Sequence, residues 1–177
     1  MSGNITIPTD LCLDGPLWQF AGRFWSHPGA RGAALFLQDR GWSVTDILCS
    51  LWMTLQGRRF TGFGAEQVIT WRGEVTEALR NARKAIGKDN PATDQVRNCI
   101  ARSELEAEQV ELALAYRVLA QPLEPLDATE VSIVDTLALE NLKAAAPEKV
   151  MDNETGRLLE TLIKELRLFS DGERQPC

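Results

Sequence analysis

The sequence predicts an all-α fold: a multi-helix bundle of about six to seven mostly antiparallel helices. Three observations predict it. Apolar residues recur at spacings of three and four through most of the chain. Clusters of Gly, Pro, Ser and Asp separate those runs as helix stops and starts. Period-two alternation is confined to Ile5-Thr6-Ile7, too short for a strand. Short connections favour antiparallel neighbours.

Residues 1–13 read as an irregular N-terminal arm. Asp14-Gly15-Pro16 opens the first helix, with Pro16 near its first position, where a missing N–H costs nothing. Leu17, Phe20, Ala21, Phe24 and Trp25 share a face. Ser26-His27-Pro28 ends this helix and starts a second, about 28–40, with His27 read as a cap. That helix is small on one side (Ala30, Ala33, Ala34) and bulky on the other (Leu35, Phe36, Leu37). Gly41 suits the left-handed residue after a helix end. Ser43 and Asp46 form a capping box for the third helix. Val44, Ile47, Leu48, Leu51, Trp52 and Leu55 then make one apolar stripe. The third helix is therefore expected at the centre, with Trp52 almost wholly buried.

After the loop at 57–64 comes a long fourth helix, about 65–87, with Val68, Trp71, Val75, Ala78, Leu79, Ala82 and Ile86 expected inward. The fifth, about 91–120, carries Val96, Ile100, Ala107, Val110, Leu114 and Val118. Pro122 and Pro125 break the chain. Asp127-x-x-Glu130 signals a helix to about Ala146, and a last helix follows at about 153–169. The expected organisation is a main helical domain at 14–120, a Pro-containing linker at 121–126, a C-terminal helical pair at 127–169 packing on or near the main domain, and a frayed tail at 170–177.

Composition narrows the function. The chain has 177 residues, 44% hydrophobic and 25% charged, a globular mixture for one domain. It has no apolar run long enough for a membrane span and no secretory signal pattern at its start. The four cysteines are scattered without a CxxC pair and His27 is the single histidine, so no zinc or di-iron site and no cofactor are expected. Reduced thiols fit a cytoplasm. Net charge is −6, split as +2 over residues 1–90 and −8 over 91–177. This balance argues against nucleic acid as the partner, because affinity for a polyanion needs concentrated positive charge.

Several motifs in order carry a resemblance: Leu17-Trp18-x-Phe20-Ala21, Pro28-Gly29, Leu37-Gln38-Asp39-Arg40-Gly41, Val44 and Leu48-x-x-Leu51-Trp52. The chain resembles a family of small proteobacterial proteins catalogued as a domain of unknown function. The similarity extends through Trp71, Arg80-x-x-Arg83 and Glu104-Leu105-x-x-Glu108, over roughly residues 17–115. It departs at Thr45 and Asp46, where the family carries Asn and an apolar residue. The resemblance implies a bacterial, cytoplasmic, helical protein and brings no catalytic mechanism.

Two clusters are candidate contact surfaces for a ligand or partner. Gln38, Asp39 and Arg40 close the second helix, with Trp42 in the turn beside them. A carboxylate at a helix C-terminus opposes the dipole, so Asp39 is expected to bond an arginine or a backbone N–H. Arg80 and Arg83, with Arg72, Lys84 and Lys88, form a basic face. It suits a phosphate-bearing ligand, but it equally suits pairing with Glu104, Glu108 and Glu111 on the next helix. Those glutamates lack the Glu-x-x-His pattern of di-metal bundles. No nucleophile elbow, phosphate loop or dinucleotide turn occurs, and no catalytic residue is assigned. The expectation is a non-enzymatic cytoplasmic protein whose partner is another protein. The alternative is a small-molecule binder or enzyme with an apolar pocket edged by Asp39, Arg40 and the helix-four arginines.

Overall fold

The computed structural model describes residues 5–63, 65–120, 131–147 and 151–173. The expected linker at 121–126, the Asp127-x-x-Glu130 cap and residues 174–177 lie outside them.

The architecture is all-α, with no strand among the described residues: α1 (Pro16–Trp25), α2 (Pro28–Asp39), α3 (Val44–Leu55), α4 (Glu66–Trp71), α5 (Glu77–Ala85), α6 (Asp94–Leu119), α7 (Val131–Ala144) and α8 (Asn153–Glu173). A π-helical turn at Arg72–Thr76 joins α4 and α5 into one rod, so the long fourth helix of the sequence reading is present as a widened one. The helices form two compact units, each assembled from two separated stretches. α1 crosses the division, which falls between Trp18 and Gln19.

One unit joins Gln19–Gly62 to the C-terminal helices. In it α2 packs on α8, α3 on α7, and each pair touches the other. The small face of α2 explains its partner. Ala30, Ala33, Ala34 and Leu37 are buried, and short side chains let two helix axes approach closely. Gly29 continues this face, and a Cβ there would collide with the Glu165 carboxylate of α8. Phe169 of α8 stacks edge-on against Phe20, ring centroids 5.3 Å apart.

α3 is buried well beyond one stripe: Thr45 and Ile47 through Thr54 are all inside. Trp52 is 8% exposed, as its position in the pattern predicted. Two of its polar side chains bond carbonyls of the same helix. Ser50 Oγ donates to the Ile47 carbonyl at 2.8 Å and Thr54 Oγ1 to the Ser50 carbonyl at 2.9 Å.

The other unit joins the stretch up to Trp18 to Phe63–Gln121. The α4–α5 rod runs antiparallel along α6. Val68 is fully buried, and the Trp71 ring N–H donates to the Ala107 carbonyl at 2.9 Å. Residues 5–13 have no helix or strand and are tied down by polar contacts. Gln67 Nε2 donates to the Thr6 carbonyl, Gln109 Nε2 to the Leu13 carbonyl, and Arg117 pairs with Asp10 at 2.7 Å.

The distal part of this unit corrects the sequence reading. Ala78, Leu79, Ala82 and Ile86 were expected inward, yet none is buried, and Val96 is 54% exposed. The reason is that α5 turns Arg80 and Arg83 toward α6, so its apolar stripe lies to the side of the contact.

Candidate functional site

The α2–α3 junction has the backbone its sequence specified. Gly41 has φ 89°. The Gly41 N–H donates to the Gln38 carbonyl at 3.0 Å and the Trp42 N–H to the Leu37 carbonyl at 3.1 Å. This is the paired bond pattern of a Schellman end, which needs a left-handed residue where Gly41 stands. Ser43 Oγ accepts the Asp46 N–H at 3.2 Å, with Asp46 in the first turn of α3.

Two expectations at this junction are overturned. Trp42 is a core residue, 4% exposed, rather than a contact in an open turn. In a Schellman end the residue after the glycine folds back toward the helix's apolar side, here beside the buried Leu37. Asp39 is exposed, and among the described residues it has no hydrogen bond or ion pair. It stands in water at the last turn, where solvent screens the unfavourable dipole. Gln38 is half-buried.

Arg40 makes the bonds expected of Asp39's neighbourhood. Its Nη1 donates to both Asp152 oxygens, at 3.1 and 3.0 Å, and to Thr155 Oγ1 at 3.2 Å, while Nη2 pairs with Glu154. Asp152 is also the N-cap of α8, accepting the Thr155 N–H at 2.7 Å. That backbone bond, with the Thr155 hydroxyl and Arg40 behind it, holds the Asp152 carboxyl down at about 2. Arg40 thus fastens the end of α2 to the start of α8, a region of positive dipole that the Asp152 and Glu154 carboxylates offset.

Arg80 and Arg83 belong to the other unit. Both are paired with α6. Arg80 Nε reaches Glu104 at 3.0 Å and its Nη2 reaches Glu108 at 2.6 Å; Arg83 binds Glu104 from the other side. About two turns earlier, Arg72 meets Glu111 at 2.7 Å. The π turn lies between Arg72 and Arg80, and both side chains reach α6. Burial pushes the Glu104 carboxyl up, but the bonds and charges of Arg83 and Arg80 outweigh it and hold the group below its usual range. For Glu108 burial prevails over Arg80 and raises it. Glu111 is 1% exposed, and its Oε2 has no hydrogen-bond partner among the described residues.

Other groups were missed by sequence reasoning. His27 occupies the N-cap position of α2 but makes no cap bond. Its Nδ1 instead lies 3.3 Å from Glu165 Oε2, with the ring against Phe24 and Phe169. Nothing local in the sequence pairs residues so far apart. Leu35 and Phe36 are 43% and 57% exposed. Of the three residues read as the bulky side of α2, Leu35 and Phe36 do lie opposite the alanines, but Leu37 is buried with Ala30, Ala33 and Ala34, because steps of three and four from Ala30, Ala33 and Ala34 bring it onto their face.

These features define a class: an all-α protein of two helical units, with ion-paired arginines inside each and an apolar patch on the outer face of α2. The chain belongs to the family of proteins of unknown function DUF2390, whose model matches residues 16–114. The match runs from α1 into α6 and includes Arg40 but not its partners on α8. No curated protein and no solved structure matches the chain. Among the described residues no helix is long and apolar enough to cross a membrane.

Proposed function

We propose that this chain is a non-enzymatic protein of the bacterial cytoplasm that acts by binding another protein through the outer face of α2. The observation that carries the reading is the exposure of Leu35 and Phe36, 43% and 57%, on a helix whose opposite face is fully packed. A phenylalanine left in water forgoes part of the roughly 1.5–3 kcal/mol that full burial supplies. Clustered exposed apolar side chains are the usual mark of a contact surface. Asp39 lies three and four residues further on, on the same face, exposed and unpaired among the described residues. Its position opposes the helix dipole, so an external basic group is the partner that would justify it.

The rival reading, a small-molecule pocket edged by Asp39, Arg40 and the helix-four arginines, requires open guanidinium groups. Arg40, Arg72, Arg80 and Arg83 each hold a carboxylate, which favours the protein-binding reading. The test is recovery of the tagged full chain from its own cells at moderate salt, compared with Phe36→Glu and Asp39→Asn. A reproducible protein partner is expected with the wild type, lost with Phe36→Glu and weakened with Asp39→Asn, while both variants keep the wild-type melting curve. No reproducible partner, or one retained equally by both variants, overturns the reading.

A further inference from the structure

The outer face of α2 is a short strip: Arg31, Gly32, Leu35, Phe36 and Asp39 are all exposed. Steps of three and four place them on one side of the helix, opposite the buried Ala30, Ala33, Ala34 and Leu37. Leu35 and Phe36 stand in the middle. Arg31 comes four residues before Leu35 and Asp39 four residues after it, so opposite charges close the strip at its two ends.

Arg31 shares the isolation of Asp39. Among the described residues neither side chain has a hydrogen bond or ion pair. Nor do they reach each other, because eight residues of helix set them about 12 Å apart. Each also stands at the wrong end of its own helix. Arg31 is in the first turn of α2, where the dipole is positive, and Asp39 is in the last, where it is negative. The strip thus carries two opposite charges, both unpaired among the described residues and both set against the dipole.

A second α2, laid antiparallel across the first with Leu35 at the crossing, answers both charges together. It brings its Asp39 beside Arg31 and its Arg31 beside Asp39. Each charge then meets its opposite and the favourable end of the other helix's dipole. Leu35 meets Leu35 at the centre. The Phe36 ring of each copy reaches toward Gly32 of the other, where even an added Cβ would touch nothing within 4 Å, and where a missing side chain lets the helices approach closely. We infer that the protein bound by the outer face of α2 is a second copy of this chain, the two helices running in opposite directions about a two-fold axis. A parallel pairing would set Arg31 on Arg31 and Asp39 on Asp39. The inference rests on the reading of α2 as a contact surface and names the partner of that surface.

Sedimentation of the purified full chain across a concentration series tests it. The contact is one helix wide, so the expected result is a weak, reversible monomer–dimer equilibrium. Phe36→Glu should raise its Kd about 100-fold, because it buries a charge in the contact. Arg31→Glu and Asp39→Lys should each raise it about tenfold, since each sets like charges together at both ends of the strip. Mixed in equal amounts, these two variants should form a heterodimer as tight as the wild-type dimer, because the reversed charge of one then faces the reversed charge of the other. All three sites are exposed, so far-UV circular dichroism and melting should stay close to wild type. A chain that stays monomeric throughout overturns the inference, as does a mixture no tighter than its components or a dimer that Phe36→Glu leaves intact. A monomeric chain whose Phe36→Glu variant still loses a different protein recovered from cells sinks the second copy alone and leaves the α2 surface standing.

Discussion

Asn141 of α7 accepts the backbone N–H of Phe60 through its Oδ1 at 2.8 Å. Its Nδ2 donates to the Arg58 carbonyl at 2.9 Å, Thr54 Oγ1 at 3.0 Å and the Ser50 carbonyl at 3.3 Å. Asn141 is 1% exposed. One amide thus ties the end of α3 and the chain leaving it to a helix more than eighty residues later. Asn141→Leu keeps the volume but strands the Phe60 N–H and the Arg58 carbonyl in the interior. A loss of about 3 kcal/mol in urea unfolding is expected, from an unsatisfied cost of about 1–3 kcal/mol per buried group. A loss below about 1 kcal/mol would show that these backbone groups find other partners.

Asp39 and Arg40 are neighbours with opposite structural weight. Arg40→Ala removes the bonds to Asp152, Glu154 and Thr155. Because the Arg40 side chain is 31% exposed, the cost should be about 1 kcal/mol rather than that of a buried pair. Asp39→Asn removes an exposed charge that opposes the helix dipole, and should change stability by no more than about 0.5 kcal/mol, in either direction. Equal losses in the two variants would contradict this division of roles.

The Arg72–Glu111 pair invites a double-mutant cycle. Glu111 is 1% exposed and already has one unpartnered oxygen. Arg72→Met therefore leaves a buried carboxylate alone and should cost about 3–5 kcal/mol at neutral pH. The double variant Arg72→Met with Glu111→Leu replaces the pair with apolar volume and should return to within about 1 kcal/mol of wild type, or exceed it. Additive losses would mean that the π turn, rather than the ion pair, sets the energetics of this region.

Acid should loosen the α2–α8 fastening in a defined window. The Asp152 carboxyl lies at about 2 in the fold against 3.8 for the free group. A lowered folded value means that its contribution is fully present above 3.8 and is lost as pH falls through 2. The difference in melting temperature between wild type and Asp152→Asn should therefore be largest above that window and shrink within it. A difference that is constant across the window would place the Asp152 contribution in its cap geometry alone, independent of charge.

The sequence by itself determined the local events. Gly41 and Ser43 ended one helix and began the next because a left-handed residue and an N-cap hydroxyl act within a few residues of themselves. Trp52 was legible as core because it lies in an unbroken apolar period. The all-α class followed from that same period repeated along the chain. Tertiary structure decided what each charged or apolar face would meet. Arg40 found Asp152 rather than supporting Asp39, His27 found Glu165 rather than capping α2, and Asn141 found Phe60. Periodicity reports that a stripe exists, but a stripe is buried only if another element lies over it. Thus Ala30, Ala33 and Ala34 went inward against α8, while Phe36 and Val96 stayed outside. Hydrogen bonds and ion pairs act within a few ångströms of space, and only the folded chain fixes which distant residues share that space.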